Sequence, residues 1–122
     1  MKFIIEGRLP NLNDAIDAAR RGKYIEAKFR KQWERYIAWC VKRDLRKWKP
    51  KEPVILHYTF VEKDRRRDKD NVASYAMKLV QDVLKDLGYL SGDGWKQIEN
   101  FDFKWAVDKH RPRIEVEIEE RR

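Results

Sequence analysis

The strongest structural constraint in the sequence is an amphipathic segment at residues 71–87. Its apolar side chains recur with the spacing of an α-helix: Val72, Ala76, Leu79, Val80, Val83, Leu84 and Leu87. Polar residues gather on the opposite side of the helical wheel: Asn71, Ser74, Lys78, Asp82 and Lys85. Gly88 is suited to follow the helix C-terminus, which often needs a left-handed residue. The segment therefore predicts a helix with one buried face and one polar stripe, on which Lys78 and Asp82 are close enough to touch.

Periodic segments on both sides of this helix predict the rest of the fold. Alternating apolar and polar residues indicate four strands, at residues 2–8, 54–61, 97–107 and 113–119, with the last two joined as a hairpin through residues 108–112. A short helix from Asn13 to Ala18 and a long helix from Tyr24 to about Trp48 are expected between the first two strands. This order predicts a small α+β fold, a mixed sheet of about four strands packed against two main helices, in a single domain spanning residues 1–122.

The charge balance narrows the classes of partner. The chain has 29 basic and 21 acidic residues, a formal net charge of +8, and the basic residues dominate residues 28–51 and 65–67. Such a balance favours a polyanionic partner such as nucleic acid, although a lysine-rich surface alone produces the same number. The one cysteine, Cys40, lies on the apolar side of the long helix and is expected to be a buried, inert thiol. No apolar run approaches the ~20 residues of a membrane span, so we expect a cytoplasmic protein without a membrane partner.

Acidic residues lie at both ends of the predicted helix 71–87. The loop before it, at residues 65–71, reads Arg-Arg-Arg-Asp-Lys-Asp-Asn, and Asp93 lies in the turn after it. Because a strand end, a helix start and a loop can meet at one point, we expect Asp68, Asp70 and Asp93 to converge. Two or three carboxylates suffice for Mg²⁺, which keeps several water ligands, and the surrounding basic residues suit a polyanionic substrate. On the Asp68–Asp70 pair alone, a helix N-cap at Asp70 is the favoured interpretation, because such Asp-rich turns are common.

Several of these pieces occur in a specific order along the chain. They are Arg66-Arg67-Asp68-Lys69-Asp70-Asn71, then Lys78 and Asp82, then Gly88, then Gly92-Asp93-Gly94-Trp95. Together they resemble the RusA family of Holliday-junction endonucleases over residues 65–99, and Leu9-Pro10-Asn11-Leu12-Asn13 is similar to the N-terminal turn of that family. The chain departs from the pattern of that family at two places. Ser74 stands where the family usually has its lysine, and a one-turn insertion would assign that role to Lys78. Gly92-Asp93 stands where the family often has an Asp-Asp pair.

The resemblance implies a Mg²⁺-dependent endonuclease, with Mn²⁺ as a substitute, that cuts Holliday junctions or other branched DNA by paired symmetric nicks. It implies that metal-activated water hydrolyses the phosphodiester, that Asp68, Asp70 and Asp93 bind the metal, and that Lys78 completes the catalytic set. Asn71 and Asp82 are secondary candidates. The residues expected to contact DNA phosphates are Arg65, Arg66, Arg67, Lys69, Lys28 and Lys31. The resemblance also implies a homodimer, a prophage origin and no small-molecule cofactor; an edge strand or the Trp-rich long helix is the candidate dimer surface.

Two alternatives remain at the level of the sequence. A non-catalytic, basic DNA-binding phage accessory protein accounts for the charge but gives no reason for the three aspartates. Asp93 followed by Asp102-Phe103-Lys104 also matches a pattern of many endonucleases, in which one acidic residue is followed along the chain by an acid-x-lysine triplet. Strand alternation places Asp102 and Lys104 on one face. His57, in a predicted strand with no histidine partner nearby, is expected to be a packed or surface residue.

Overall fold

A computed structural model describes residues 1–121 and confirms the α+β class. The elements in chain order are β1 (Lys2–Glu6), α1 (Leu12–Arg20), α2 (Lys23–Leu45), β2 (Val54–Glu62), α3 (Lys69–Asp86), β3 (Ile98–Val107) and β4 (Arg113–Glu120). The four strands form one mixed sheet in the order β1-β4-β2-β3. β2 and β3 run parallel, whereas β4 is antiparallel to both of its neighbours, β1 and β2. The two long helices α2 and α3 match the predicted main helices, and α1 is the short third helix.

The prediction of a β3–β4 hairpin is wrong. β3 and β4 lie on opposite sides of β2, so residues 108–112 cross over the end of that strand. The crossing is held by Asp108, whose amide donates to the Glu62 carbonyl at 2.8 Å and whose carboxylate accepts from the amides of His110 and Arg111. β2 is the most deeply buried strand, and a central strand needs partners on both edges. Pairing of both neighbours with β2 therefore prevails over local hairpin formation.

The sheet is covered by helices on one face only. On β2, Val54, Leu56, Tyr58 and Phe60 are fully buried, whereas the alternate residues Ile55, His57 and Thr59 are partly exposed. The same alternation continues on the neighbouring strands, with Phe3, Ile5, Ile114, Val116 and Ile118 buried. The helices supply the other half of the core, chiefly from Ile37, Cys40, Val41 and Leu45 of α2 and from Val72, Ala76, Leu79, Val80, Val83 and Leu84 of α3. The predicted apolar faces of both helices and the burial of Cys40 are thus confirmed.

The helix boundaries differ from the predictions by a few residues. α1 begins at Leu12 because Asn11 caps it: the Asn11 side chain accepts from the Asp14 amide at 2.9 Å, and the Asp14 side chain accepts from the Asn11 amide at 3.0 Å. α3 begins at Lys69 rather than Asn71, and it ends before Gly88, whose φ of +81° is in the left-handed region as expected. Among the described residues, no helix combines the length and the apolar character that crossing a bilayer requires.

Candidate nucleic-acid and metal site

The loop that leads from β2 into α3 is anchored by a nearly buried ion pair. Arg67 donates through Nε to Glu62 Oε1 at 2.8 Å and through Nη2 to Glu62 Oε2 at 2.9 Å. Its Nη1 donates to the carbonyl of Leu9 at 2.7 Å. Glu62 is only 9% exposed, so the pair is held in a setting with little solvent. Arg67 therefore joins the N-terminal turn at Leu9 to the loop 65–71, two segments far apart in sequence.

This anchoring changes the role of one predicted DNA contact. Arg67 uses donors of all three guanidinium nitrogens within the protein, which leaves Arg65 and Arg66 as the exposed arginines of the loop. Arg66 is 88% exposed at its side chain and approaches Asp64 only to 3.8 Å. Lys69, also exposed, places its ammonium 5.6 Å from the ring centroid of Trp105 on β3. Three cationic side chains thus remain available to phosphate groups at this end of the molecule.

Asp68 and Asp70 lie together where α3 begins. Asp68 is the N-cap residue and Asp70 lies in the first turn, so it is Asp68 that occupies the capping position considered above for Asp70. The Asp68 side chain makes no capping hydrogen bond, in contrast to Asn11 at the start of α1. Both carboxylates are exposed, and neither has an ion-pair partner among residues 1–121. The positive end of the helix dipole favours negative charge at both positions.

Asp93 lies at the opposite end of α3. Its carboxylate is 4.0 Å from the ammonium of Lys85, in the last turn of the helix. From Asp70 to Lys85 the helix rises by about 22 Å. Oxygen ligands bind Mg²⁺ at about 2 Å, so Asp93 and Asp70 of one chain do not share an ion across that distance. The expected convergence of three carboxylates within one chain is therefore not found, because Asp93 precedes β3 and α3 spans the full length of the sheet between them.

The Lys78–Asp82 contact predicted from the sequence is confirmed, with 3.7 Å between the ammonium and the carboxylate. Lys78 lies two turns beyond Asp70, about 12 Å along the helix axis. The pair lies on the polar stripe of α3, between the Asp68–Asp70 end and the Asp93 end. Asn71, the other secondary candidate, is half-buried in the first turn, beside Asp70.

The acidic side chains of the chain meet the needs of a magnesium ion only in part. Within residues 1–121, no group of three or more His, Cys, Asp or Glu side chains is arranged to hold a metal. Asp68 and Asp70 alone fit a sparser mode, in which one or two carboxylates bind Mg²⁺ together with water and substrate phosphate oxygens. The residues of one chain thus fit a two-carboxylate site and do not fit the three-carboxylate site that the resemblance implies.

The predicted basic face of α2 lies beside α3. Phe29 of α2 stacks with Tyr75 of α3, with 6.4 Å between the ring centroids, and Lys28 and Lys31 on either side of Phe29 are exposed. Tyr75 follows Asp70 by little more than one turn. The start of α2 therefore packs on the second turn of α3, whereas Lys31 lines a surface cavity with Val83 and Asp86, nearer the other end of α3.

The outward face of the sheet carries a network that the sequence did not reveal. His57 on β2 lies between two carboxylates, with Nδ1 2.7 Å from Asp102 and Nε2 2.8 Å from Glu119. The hydrogen bonds to Glu119 and to Asp102 raise the pKa of His57 above its usual value, against the opposing effect of partial burial. Asp102 and Lys104 do share this face, as predicted for the acid-x-lysine alternative. Asp102 is engaged with His57, however, and Asp93 is paired with Lys85.

Glu62 is the second feature that sequence reasoning missed, although the sequence contains a signal for it. It continues the series of alternate, inward-facing residues Val54, Leu56, Tyr58 and Phe60. A carboxylate at an inward-facing position needs a buried cationic partner.

No protein-family model matches the chain, and no curated protein matches it either.

Proposed function

We propose that the chain is a metal-dependent, structure-specific endodeoxyribonuclease that acts on branched DNA such as a four-way junction. The single observation that carries the proposal is the start of α3. There two exposed carboxylates, Asp68 and Asp70, have no capping or ion-pair role and are flanked by exposed Arg65 and Arg66. A surface this basic binds DNA without needing acidic residues, and the helix dipole stabilises these carboxylates without giving them a function. Binding a divalent cation together with a substrate phosphate supplies one.

The residues of the chain divide between these tasks. Asp68 and Asp70 would hold Mg²⁺, or Mn²⁺ in its place, and a bound ion would supply charge neutralisation at the scissile phosphate and a more acidic water. Arg65, Arg66 and Lys69 would position the DNA backbone, and Lys28 and Lys31 would extend its path. Arg67 and Glu62 act as positioning residues because they fix the loop that carries these groups.

The competing proposal is a basic DNA-binding protein without catalysis. It is favoured by one observation, the distance between Asp93 and the other two aspartates. It predicts salt-sensitive DNA binding that does not respond to divalent cations.

Thermal unfolding with and without metal separates the two proposals. An ion that binds only the folded protein at 100 times its dissociation constant stabilises it by about 2.7 kcal/mol, or about 9 °C in Tm for a chain of this size. The nuclease proposal predicts such a rise in millimolar Mg²⁺ or Mn²⁺ over EDTA, and its loss in Asp70→Asn.

The matched control is Asp86→Asn, the same substitution in the last residue of the same helix. This variant should keep the full metal-dependent rise in Tm. Equal small shifts in wild type, Asp70→Asn and Asp86→Asn would indicate non-specific screening of charge and would favour the binding protein.

A further inference from the structure

The side chain of Trp105 forms a flat apolar wall beside the candidate site. Trp105 lies near the end of β3, a strand with β2 on one side and no strand of the sheet on the other. Its ring stacks on Phe60 of β2, with 4.7 Å between the ring centroids and 21° between the ring planes. Phe60 is fully buried, so the core holds the indole in place. The ring is therefore a rigid, half-buried surface that a ligand can cover without having to order it first.

A surface cavity of about 510 Å³ opens against this ring. It lies between the loop before α3 and the end of β3, and its lining includes Arg65, Lys69, Trp105 and Val107. Val107 is 51% exposed, so apolar surface at the cavity remains in contact with solvent. The volume is within the range of about 300–1,000 Å³ that is usual for small-molecule sites. The cavity therefore has room for one nucleobase laid against the indole ring.

The charged groups around the cavity favour an anionic ligand. Two acidic residues line it, Glu62 and Asp64, and each has an arginine partner, at 2.8 Å and 3.8 Å respectively. Arg65 and Lys69 are exposed and make no ion pair within residues 1–121. The Lys69 ammonium is 5.6 Å from the centroid of the Trp105 ring. Free cations beside an aromatic ring match the chemistry of a nucleotide strand, in which phosphate groups flank a base with a π face.

We propose that this cavity, from here on the base cavity, binds one unstacked base of the DNA substrate. Trp105 is the surface on which the base stacks, and Arg65 and Lys69 hold the adjoining phosphates. The proposal rests on the nuclease function proposed above, and it adds the feature of the DNA that the site recognises. Lys69 lies between Asp68 and Asp70 in sequence, so the base is bound next to the carboxylates that would hold the metal. Trp105 then positions the strand that is cut.

Stacking in the base cavity discriminates a branch point from linear duplex. Within a duplex both faces of each base are covered by neighbouring bases, and taking a base out of the stack costs free energy. At a branch the last base pair of each arm has lost a neighbour, and in a single strand no pairing holds the base, so this cost is lower. Because every base has a π face, the indole ring accepts any of the four. The site therefore selects the structure of the DNA more than its sequence.

Binding of two single strands that differ only in their bases tests the base cavity. One is a short thymine oligonucleotide, and the other is an abasic strand of the same length with the same phosphates. In EDTA, where no cleavage is expected, wild type should bind the thymine strand about 5- to 150-fold more tightly, which is the contribution of one base stacked on an aromatic ring. Trp105→Leu should lose most of this preference, while its affinity for the abasic strand stays close to that of wild type.

Two control variants separate stacking from charge. Trp39→Leu is the same substitution at a tryptophan on α2 that is 59% exposed and has Arg43 over its ring at 5.0 Å, and it should keep the preference of wild type. Arg65→Ala removes a phosphate contact, so it should weaken the binding of both strands by the same factor. Equal binding of the two strands by wild type, or the same loss of preference in Trp39→Leu as in Trp105→Leu, would overturn the base cavity.

Nuclear magnetic resonance of the wild-type protein tests the same contact without a substitution. This matters because Trp105 packs on a core residue, and its replacement can lower the stability of the fold. The indole N–H signal of Trp105 should shift on addition of the thymine strand and much less on addition of the abasic strand. The indole N–H signal of Trp39 should respond alike to both strands. A Trp105 signal that responds equally to the two strands, or to neither, would overturn the proposal.

Cleavage of a four-way junction separates this proposal from the nuclease function on which it rests. Wild type that nicks the junction in Mg²⁺ but binds both strands equally overturns the base cavity and leaves the function standing. Wild type that prefers the thymine strand and never nicks overturns the function, and the base cavity then belongs to a DNA-binding protein. Where wild type does both, Trp105→Leu should raise KM for the junction with little change in kcat, because the base is bound before the bond is broken. An unchanged KM would contradict the role of Trp105.

Discussion

The Arg67–Glu62 pair leads to a quantitative prediction about stability. Arg67→Ala removes three charge-assisted hydrogen bonds of 2.7–2.9 Å and leaves the Glu62 carboxylate, 9% exposed, without its partner. Breaking a buried ion pair on one side costs about 3–5 kcal/mol. Both side chains retain slight solvent contact, at 14% and 12% exposure, which favours the lower end of that range. We expect a loss of about 3 kcal/mol in the free energy of unfolding, or about 10 °C in Tm.

The neighbouring arginine supplies the control for this prediction. Arg66→Ala removes an exposed side chain whose nearest acidic group is 3.8 Å away, and it should change the free energy of unfolding by less than about 0.5 kcal/mol. Urea denaturation of both variants measures the difference. Replacing both members, Arg67→Met with Glu62→Leu, should recover much of the loss, because no unpaired charge remains. The reasoning fails if Arg67→Ala is no more destabilising than Arg66→Ala, or if the double variant is as unstable as Arg67→Ala.

Three further predictions follow from single contacts. The raised pKa of His57 means that its bonds to Glu119 and Asp102 stabilise the fold fully below about pH 6.5, and that this contribution declines as the pH rises through the folded-state pKa. The free energy of unfolding of wild type relative to His57→Gln, measured by denaturation from pH 6 to pH 9, should therefore fall. A difference that does not change with pH would contradict this prediction. Gly88→Ala, at φ +81°, should cost about 1–2 kcal/mol in thermal denaturation, and no loss would mean that the left-handed position is not required. Lys104→Ala should retain DNA cleavage, whereas complete loss of cleavage would favour the acid-x-lysine site.

The sequence was most informative where local periodicity and tertiary packing agree. The pattern of α3 predicted its buried face, its polar stripe and the end at Gly88, because one amphipathic helix packed on a sheet satisfies all three. The β3–β4 hairpin failed because strand order depends on which strand is most buried, and β2 competes successfully for both neighbours. The periodicity of each segment does not indicate which strands compete for the same neighbour.

The candidate site was predictable in its parts and not in its arrangement. The aspartates next to one another in sequence, Asp68 and Asp70, are also neighbours in space. The distance to Asp93 depends on the direction and length of α3, which separate the end of β2 from the start of β3. The structural role of Arg67 could not be predicted for a related reason. Its partner Glu62 is recognised as buried only when the alternation of inward-facing residues on β2 is continued to the last residue of the strand.

Cleavage of a synthetic four-way DNA junction tests the central claim most directly. Wild type and Asp70→Asn are compared in Mg²⁺ and in EDTA, with linear duplex of the same sequence as the control substrate. The account predicts paired nicks in the junction by wild type in Mg²⁺, none in EDTA, none in the duplex, and binding without cleavage by Asp70→Asn. Junction binding by wild type with no nick in Mg²⁺ or Mn²⁺, or full cleavage by Asp70→Asn, would contradict it.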